Sequence, residues 1–254
     1  MHLAVVGKGG AGKSVIAGTL ARVLARRGRR VLALDSDMLP GLTFSLGADA
    51  PPAPPLLDAA ERGEDGRWRL KRGVGPVRAV QRYATDAPDG IRLLQAGKVG
   101  PDGLAGIQPA LQAYFRVIHR LAHSRAFAEW AIVGDLPGGP RQAAFGWAPY
   151  AETFLLVVEP TAQSLLAARR IAGVASQRRG SPVGVVANKV RDDADITRIE
   201  QFLGARVAAA VPADAAVVSA ERTGAALLDH APRSPAAAAV AELADRVEAG
   251  SLAS

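Results

Sequence analysis

The stretch AVVGKGGAGKS, residues 4–14, decides the fold. An apolar run, 3–6, leads into it, and apolar residues at Ile16, Leu20, Val23 and Leu24 follow it. The run reads as a buried parallel strand. The later spacing of three to four predicts a helix over 13–27. Between strand and helix, Gly7, Gly12, Lys13 and Ser14 take the fixed places of G-x-x-x-x-G-K-[ST]. Each residue type has a physical reason. Glycine lets peptide N–H groups turn inward, and a helix start adds partial positive charge. The N–H groups of Gly9, Gly10, Ala11, Gly12, Lys13, Ser14 and Val15 are expected to cradle phosphate oxygens. Lys13 is expected to reach the β- and γ-phosphates, and Ser14 to offer its hydroxyl to Mg2+. A second lysine, Lys8, is left over, because one ammonium is enough to hold a phosphate.

Beyond the loop the chain alternates. Strands are predicted at 30–35, 91–94, 130–135, 153–159, 182–189 and 205–212. Helices are predicted near 107–123, 161–178, 195–203 and 235–248. Alternation of this kind implies a parallel sheet covered on both faces. The expected fold is therefore α/β: a single-domain, three-layer P-loop NTPase over 1–254, with a mostly parallel central sheet flanked by helices. Residues 47–105 break the rhythm with GADAPPAPPLL and a polar, glycine-rich stretch, and are expected to form an irregular insertion.

Composition bounds the function. The 254 residues include no cysteine, which excludes disulfides and thiolate metal sites. No apolar run reaches the length of a membrane span, and the N-terminus lacks a basic-then-apolar leader pattern. A cytoplasmic location is expected. The formal net charge is +7, with Arg22, Arg26, Arg27, Arg29 and Arg30 gathered at the end of the first helix. DNA or membrane contact is possible on that charge but not favoured: aromatics for base stacking are few, and arginine at a helix end complements the helix dipole. The alanine-rich segment from Ser234 onward lacks the basic and bulky apolar faces of a membrane-surface helix.

Further acidic and polar residues stand at strand ends, which face the ligand crevice in an open α/β sheet. VLALDSDM places Asp35 and Asp37 there, and AIVGDLPGG places Asp135 before Gly138 and Gly139. VVANKVRDD carries Asn188 and Lys189, but Arg191 stands where guanine recognition by N-K-x-D needs an aspartate, so ATP is favoured over GTP. His119 and His123 are four apart on a predicted helix, a spacing that suits zinc, yet no acidic ligand lies near them and a solvated face is expected.

The form K-G-G-x-G-K-[ST], with Lys8, resembles the deviant phosphate loop of the MinD/ParA superfamily. The resemblance implies that Lys8 crosses a dimer interface to the phosphates of the other subunit, like an arginine finger supplied in trans. It implies a catalytic set of Lys8, Lys13 and Asp37, with Asp37 orienting the attacking water. Mg2+ would be held by Ser14, Asp35 and Asp135, and Gly138 or Gly139 would give an N–H to the γ-phosphate. Asn188 resembles the adenine-contacting asparagine, and VPAD resembles the segment lining the base pocket, here with Pro212 and Asp214. LDSDMLPGLTFSLGA, PPAPPLLDAAERGE, LLQAGKVGPDG and EPTAQSLLAARRIAGVA look most like the CooC-like branch, nickel-insertion ATPases of carbon monoxide dehydrogenase maturation. That branch carries a C-x-C pair where Leu104 and Gly106 stand here, so a soft thiolate site cannot form. The implied function is a slow, Mg-ATP-dependent homodimerising ATPase, a switch in assembly or maturation of an unidentified protein client. A MinD/ParA-type positioning or partition ATPase is the alternative.

Overall fold

The computed structural model describes residues 1–38, 41–99, 103–139, 146–176 and 181–252. The first half of the chain forms β1 (His2–Gly7), α1 (Lys13–Arg26), β2 (Val31–Asp35), α2 (Gly41–Leu46), β3 (Ala60–Arg62), β4 (Trp68–Leu70), α3 (Pro76–Tyr83), β5 (Thr85–Ala87), β6 (Ile91–Gln95) and α4 (Gly103–Leu121). The second half forms β7 (Ala131–Asp135), β8 (Thr153–Val158), α5 (Ala162–Ser176), β9 (Val183–Val190), α6 (Asp193–Leu203), β10 (Val207–Pro212), α7 (Ala215–Thr223), α8 (Leu227–His230) and α9 (Pro235–Glu248).

Eight strands make one sheet in the order β10-β9-β8-β1-β7-β2-β6-β5. All neighbours are parallel except β5 with β6. Side chains alternate across the sheet because the strand period is two. In β1, Ala4 and Val6 join one core while Leu3 and Val5 join the other, and in β2 Leu32 and Leu34 divide from Val31 and Ala33 in the same way. Tyr114 and Val117 of α4 and Leu165 and Ile171 of α5 cover the first face. Ile16, Leu20 and Leu24 of α1 and Val240 and Leu243 of α9 cover the second. The expected three layers and mostly parallel sheet are therefore present. Because both faces are covered, the carboxyl ends of β1, β2 and β7 are left to hold a ligand. Among the described residues, no helix is long and apolar enough to cross a membrane.

The described part of 47–105, residues 47–99 and 103–105, is more ordered than its sequence suggests. It contains the antiparallel hairpin β3–β4, helix α3, and β5 on the sheet edge beside the expected β6. Three-residue strands and an eight-residue helix are shorter than the window over which periodicity can be read. Helix α4 starts at Gly103, earlier than the expected 107, so Pro109 lies inside it and removes one backbone donor. Helices α7 and α8 lie outside the helices predicted from sequence. Yet Asp214 caps α7 by accepting from Ala216 N at 2.9 Å, a start signal that was visible in the sequence.

Candidate functional site

The loop between β1 and α1 has the backbone its glycines foretold. Gly10 and Gly12 lie at φ of 82° and 89°, the left-handed region that favours glycine. Gly12 is held there by a second constraint, since a Cβ on it would meet Asn188 Nδ2 at 2.3 Å. The same Nδ2 donates to Ala11 O at 2.7 Å, so buried Asn188 bolts the end of β9 to the loop. Lys189 Nζ donates to Gly10 O at 3.0 Å and pairs with Glu159 at 2.5 Å, a second brace. Sequence reading weighed Lys189 only as part of a guanine signature and missed this role.

Helix α1 starts at Lys13 with Gly12 as its N-cap, so it has no side-chain cap, and no acidic residue stands in its first turn. Its first N–H groups and dipole therefore suit an external anion. Lys13 is buried beside them, its Nζ donating to Lys8 O at 3.3 Å. Next to this cradle opens a cavity of about 780 Å³. Gly10, Gly12, Lys13, Ser14 and Val15 line one end, and Asn188, Pro212 and Asp214 line the other. Exposed Phe44 of α2 and Val218 of α7 complete its apolar wall. Neither wall residue was anticipated, because the short α2 and α7 carry no readable helical period. Asp214 serves this wall through backbone: besides Ala216 N, its carboxylate accepts from Ala236 N at 3.0 Å and so pins the starts of α7 and α9.

Two carboxylates meet below the cradle. Asp35 and Asp135 are register partners on β2 and β7, and both are buried. Ser14 Oγ donates to Asp135 Oδ2 at 2.5 Å. Asp35 Oδ1 accepts from Asp37 N at 3.0 Å. Among the described residues, Asp35 Oδ2 and Asp135 Oδ1 are buried without a hydrogen-bond partner. Burial pushes the Asp35 carboxyl well above the ordinary range, and the neighbouring Asp135 charge adds to it. Burial likewise pushes Asp135 up to about 6, against the opposing pull of the Ser14 hydroxyl and Lys13. Two buried carboxylates and a hydroxyl form an all-oxygen donor set of the kind a hard divalent cation takes.

Residues 3–228 match the CobQ/CobB/MinD/ParA nucleotide binding domain family. The chain belongs to this family. Along 97% of both chains it is 29% identical to the carbon monoxide dehydrogenase accessory protein CooC of Rhodospirillum rubrum. It superposes on the cell division ATPase MinD of Pyrococcus furiosus with a TM-score of 0.73, at 24% identity and covering 98% of each chain. Against the septum site-determining protein MinD of Pyrococcus horikoshii, complexed with Mg-ADP, the TM-score is 0.69, at 20% identity over 98% of this chain and 96% of that one.

Within this CobQ/CobB/MinD/ParA domain the remaining expected residues fall as follows. Half-buried Asp37 lies two residues past the Asp35 strand end. Gly138 presses onto the phosphate loop: a Cβ there would lie 2.8 Å from Gly9 N. Gly139 N donates to Gly7 O at 3.2 Å, so the loop after Asp135 docks on the cradle. Lys8 is half-buried, and its Nζ makes no hydrogen bond or ion pair with any described residue. Leu104 is 65% exposed.

Two surface readings are now concrete. The arginine cluster at the end of α1 is not an open cationic face. Arg22 is buried and paired with Asp89 and Asp229, Arg26 with the same two, and Arg27 and Arg29 with Glu248. Arg30 lies over the Trp130 ring at 4.4 Å. The expected solvated face holds for exposed His123 but not for His119, which is half-buried with its Nε2 buried and its ring tilted against Phe115 at 4.3 Å; among the described residues no cluster of metal-ligating side chains forms around it.

Proposed function

We propose that this chain is a Mg-ATP-dependent ATPase that homodimerises on ATP and acts as a switch in the assembly or maturation of a client protein. The single observation that carries the proposal is Lys8, an ammonium standing on the phosphate loop with no partner among the described residues. An unpaired ammonium held beside a phosphate cradle is worthwhile where an anion comes to meet it. In the dimer that anion is the other subunit's triphosphate.

The roles follow from position. The N–H groups of residues 9–15 hold the phosphates, and Lys13 neutralises the β- and γ-oxygens of its own nucleotide. The apolar wall and Pro212 take the base, with Asn188 keeping the loop in register. Ser14, Asp35 and Asp135 hold Mg2+, which when bound offsets charge on the phosphate oxygens. Asp37 orients the water that attacks the γ-phosphorus, and the bond to the β–γ bridging oxygen breaks to leave ADP and phosphate. Gly138 and Gly139 report that loss, since their loop rests on the cradle.

Overall likeness to CooC along nearly the whole chain supports an accessory role over a positioning one. The pairing of Arg22, Arg26, Arg27 and Arg29 with Asp89, Asp229 and Glu248 supports this reading over a DNA-binding one, since those charges are already engaged. With no cysteine in the chain, the client's change of state is driven by nucleotide and not by a thiolate-bound metal. The test is ATPase rate against protein concentration. Specific activity should rise with concentration as dimers form, and Lys8→Ala should hydrolyse at a low rate independent of concentration. An equal, concentration-dependent rate in Lys8→Ala would remove the trans-lysine mechanism.

A further inference from the structure

A second cavity, of about 600 Å³, lies away from the nucleotide site, between the β3–β4 hairpin and α4. Arg62, Arg67 and Arg69 line it from the hairpin and Gln108, Gln112 and Arg116 from the helix. Its one lining carboxylate, Asp65, is already taken: it accepts from Arg69 at 2.9 Å and from the Arg67 backbone N at 3.2 Å. Arg62 is turned to Gly66 O at 3.1 Å. The Arg67 and Arg116 guanidiniums make no hydrogen bond or ion pair with a described residue. Four guanidiniums thus converge on one concavity against a single carboxylate. Such convergence repels itself unless an anion enters.

The walls are firm. Trp68 and Leu70 of β4 pack against the core, and on α4 Ala110, Ala113, Tyr114 and Val117 belong to it. Gln108, Gln112 and Arg116 are spaced by four and exposed, so they form one polar stripe along the outer face of α4.

We infer that this cleft binds an acidic polypeptide segment. Guanidinium forks match carboxylates bidentately, and the two glutamine amides offer both donors and acceptors to a peptide backbone. A single-stranded nucleic acid would need a run of aromatic faces to stack successive bases on, and the cleft is lined by one aromatic alone, the half-buried Trp68 that also packs against the core. Assigning that segment to the client rests on the proposed function, while the anion chemistry of the cleft stands apart from it.

The experiment is fluorescence anisotropy of a labelled hexa-glutamate peptide titrated with the full chain, without nucleotide and at low salt. Saturable binding is expected, absent for a hexa-glutamine peptide. The double reversal Arg67→Glu/Arg116→Glu should weaken it about tenfold or more, while Arg246→Glu on the exposed face of α9 should not. Should the double reversal fail to fold, Gln108→Glu/Gln112→Glu adds repulsion from the helix side and should weaken binding in the same direction. Lys13→Ala should lose ATP and keep the peptide, which separates this cleft from the nucleotide reading. No binding by a chain that still binds ATP, binding indifferent to both cleft variants, or displacement of the peptide by a tighter-binding oligo-dT would each overturn the inference.

Discussion

Replacing Asp135 with asparagine should stabilise the metal-free chain. The carboxyl rises from 3.8 to about 6 on folding, chiefly because burial strips its water. A rise of about two units, at ~1.4 kcal/mol per unit, means about 3 kcal/mol of folding free energy lost once the group ionises. An acid whose folded pKa is raised keeps its full stability below 3.8 and loses it as the pH climbs to about 6. Asparagine is never charged, and its Oδ1 can still accept from Ser14. The advantage of Asp135→Asn over the native chain should therefore widen by about 2 kcal/mol between pH 4.5 and pH 8. Urea denaturation of both proteins in EDTA at a series of pH values measures it. Taking the difference between the two cancels carboxylates such as Asp229, which Arg22 holds below the usual range and which act in the opposite direction. Added Mg2+ should raise the native midpoint and leave the variant's unchanged. A difference that stays flat with pH, or an asparagine variant less stable at pH 8, would refute the view that this carboxylate is destabilised by burial and awaits a cation.

Other consequences can be read from single contacts. Gly12→Ala would need a left-handed backbone and would drive its Cβ into Asn188, so it should cost about 1–3 kcal/mol and abolish nucleotide binding, measured by calorimetry. The double change Asp89→Ala/Asp229→Ala would strip both acids from buried Arg22 and should cost about 3–5 kcal/mol in chemical denaturation. Tyr114→Phe would remove the 2.9 Å hydrogen bond from α4 to Ser36, the residue between Asp35 and Asp37. It should cost about 1 kcal/mol and alter the ATPase rate more than nucleotide affinity, measured by steady-state kinetics beside calorimetry.

The parts of the fold that could be read from sequence are those built from local signals. The apolar strand 3–6, the glycine loop and the spaced apolar residues of α1 sit side by side in the chain, and α9 spans 235–248 as its pattern implies. Asp35 and Asp135 could be placed at strand ends, but their facing one another depends on β2 and β7 being neighbours across about a hundred intervening residues, a matter of topology. Arg22 looked like one more surface arginine because its partners, Asp89 and Asp229, are far away in sequence. The hairpin β3–β4 was hidden by its brevity and by the glycine and arginine around it, and with it the cationic cleft. Lys8 stands out in the sequence as a second loop lysine, its role is implied by resemblance to the deviant phosphate loop, and the structure adds that its ammonium is left unpaired among the described residues.

The most direct test of the central claim is the molar mass in solution, by light scattering behind a sizing column, with ADP and with ATP, each with Mg2+. Asp37→Ala should run as a dimer with ATP and a monomer with ADP. Adding Lys8→Ala to it should leave ATP binding intact and return the protein to a monomer. A monomer in every nucleotide state, or an ATP dimer that persists without Lys8, would contradict the account.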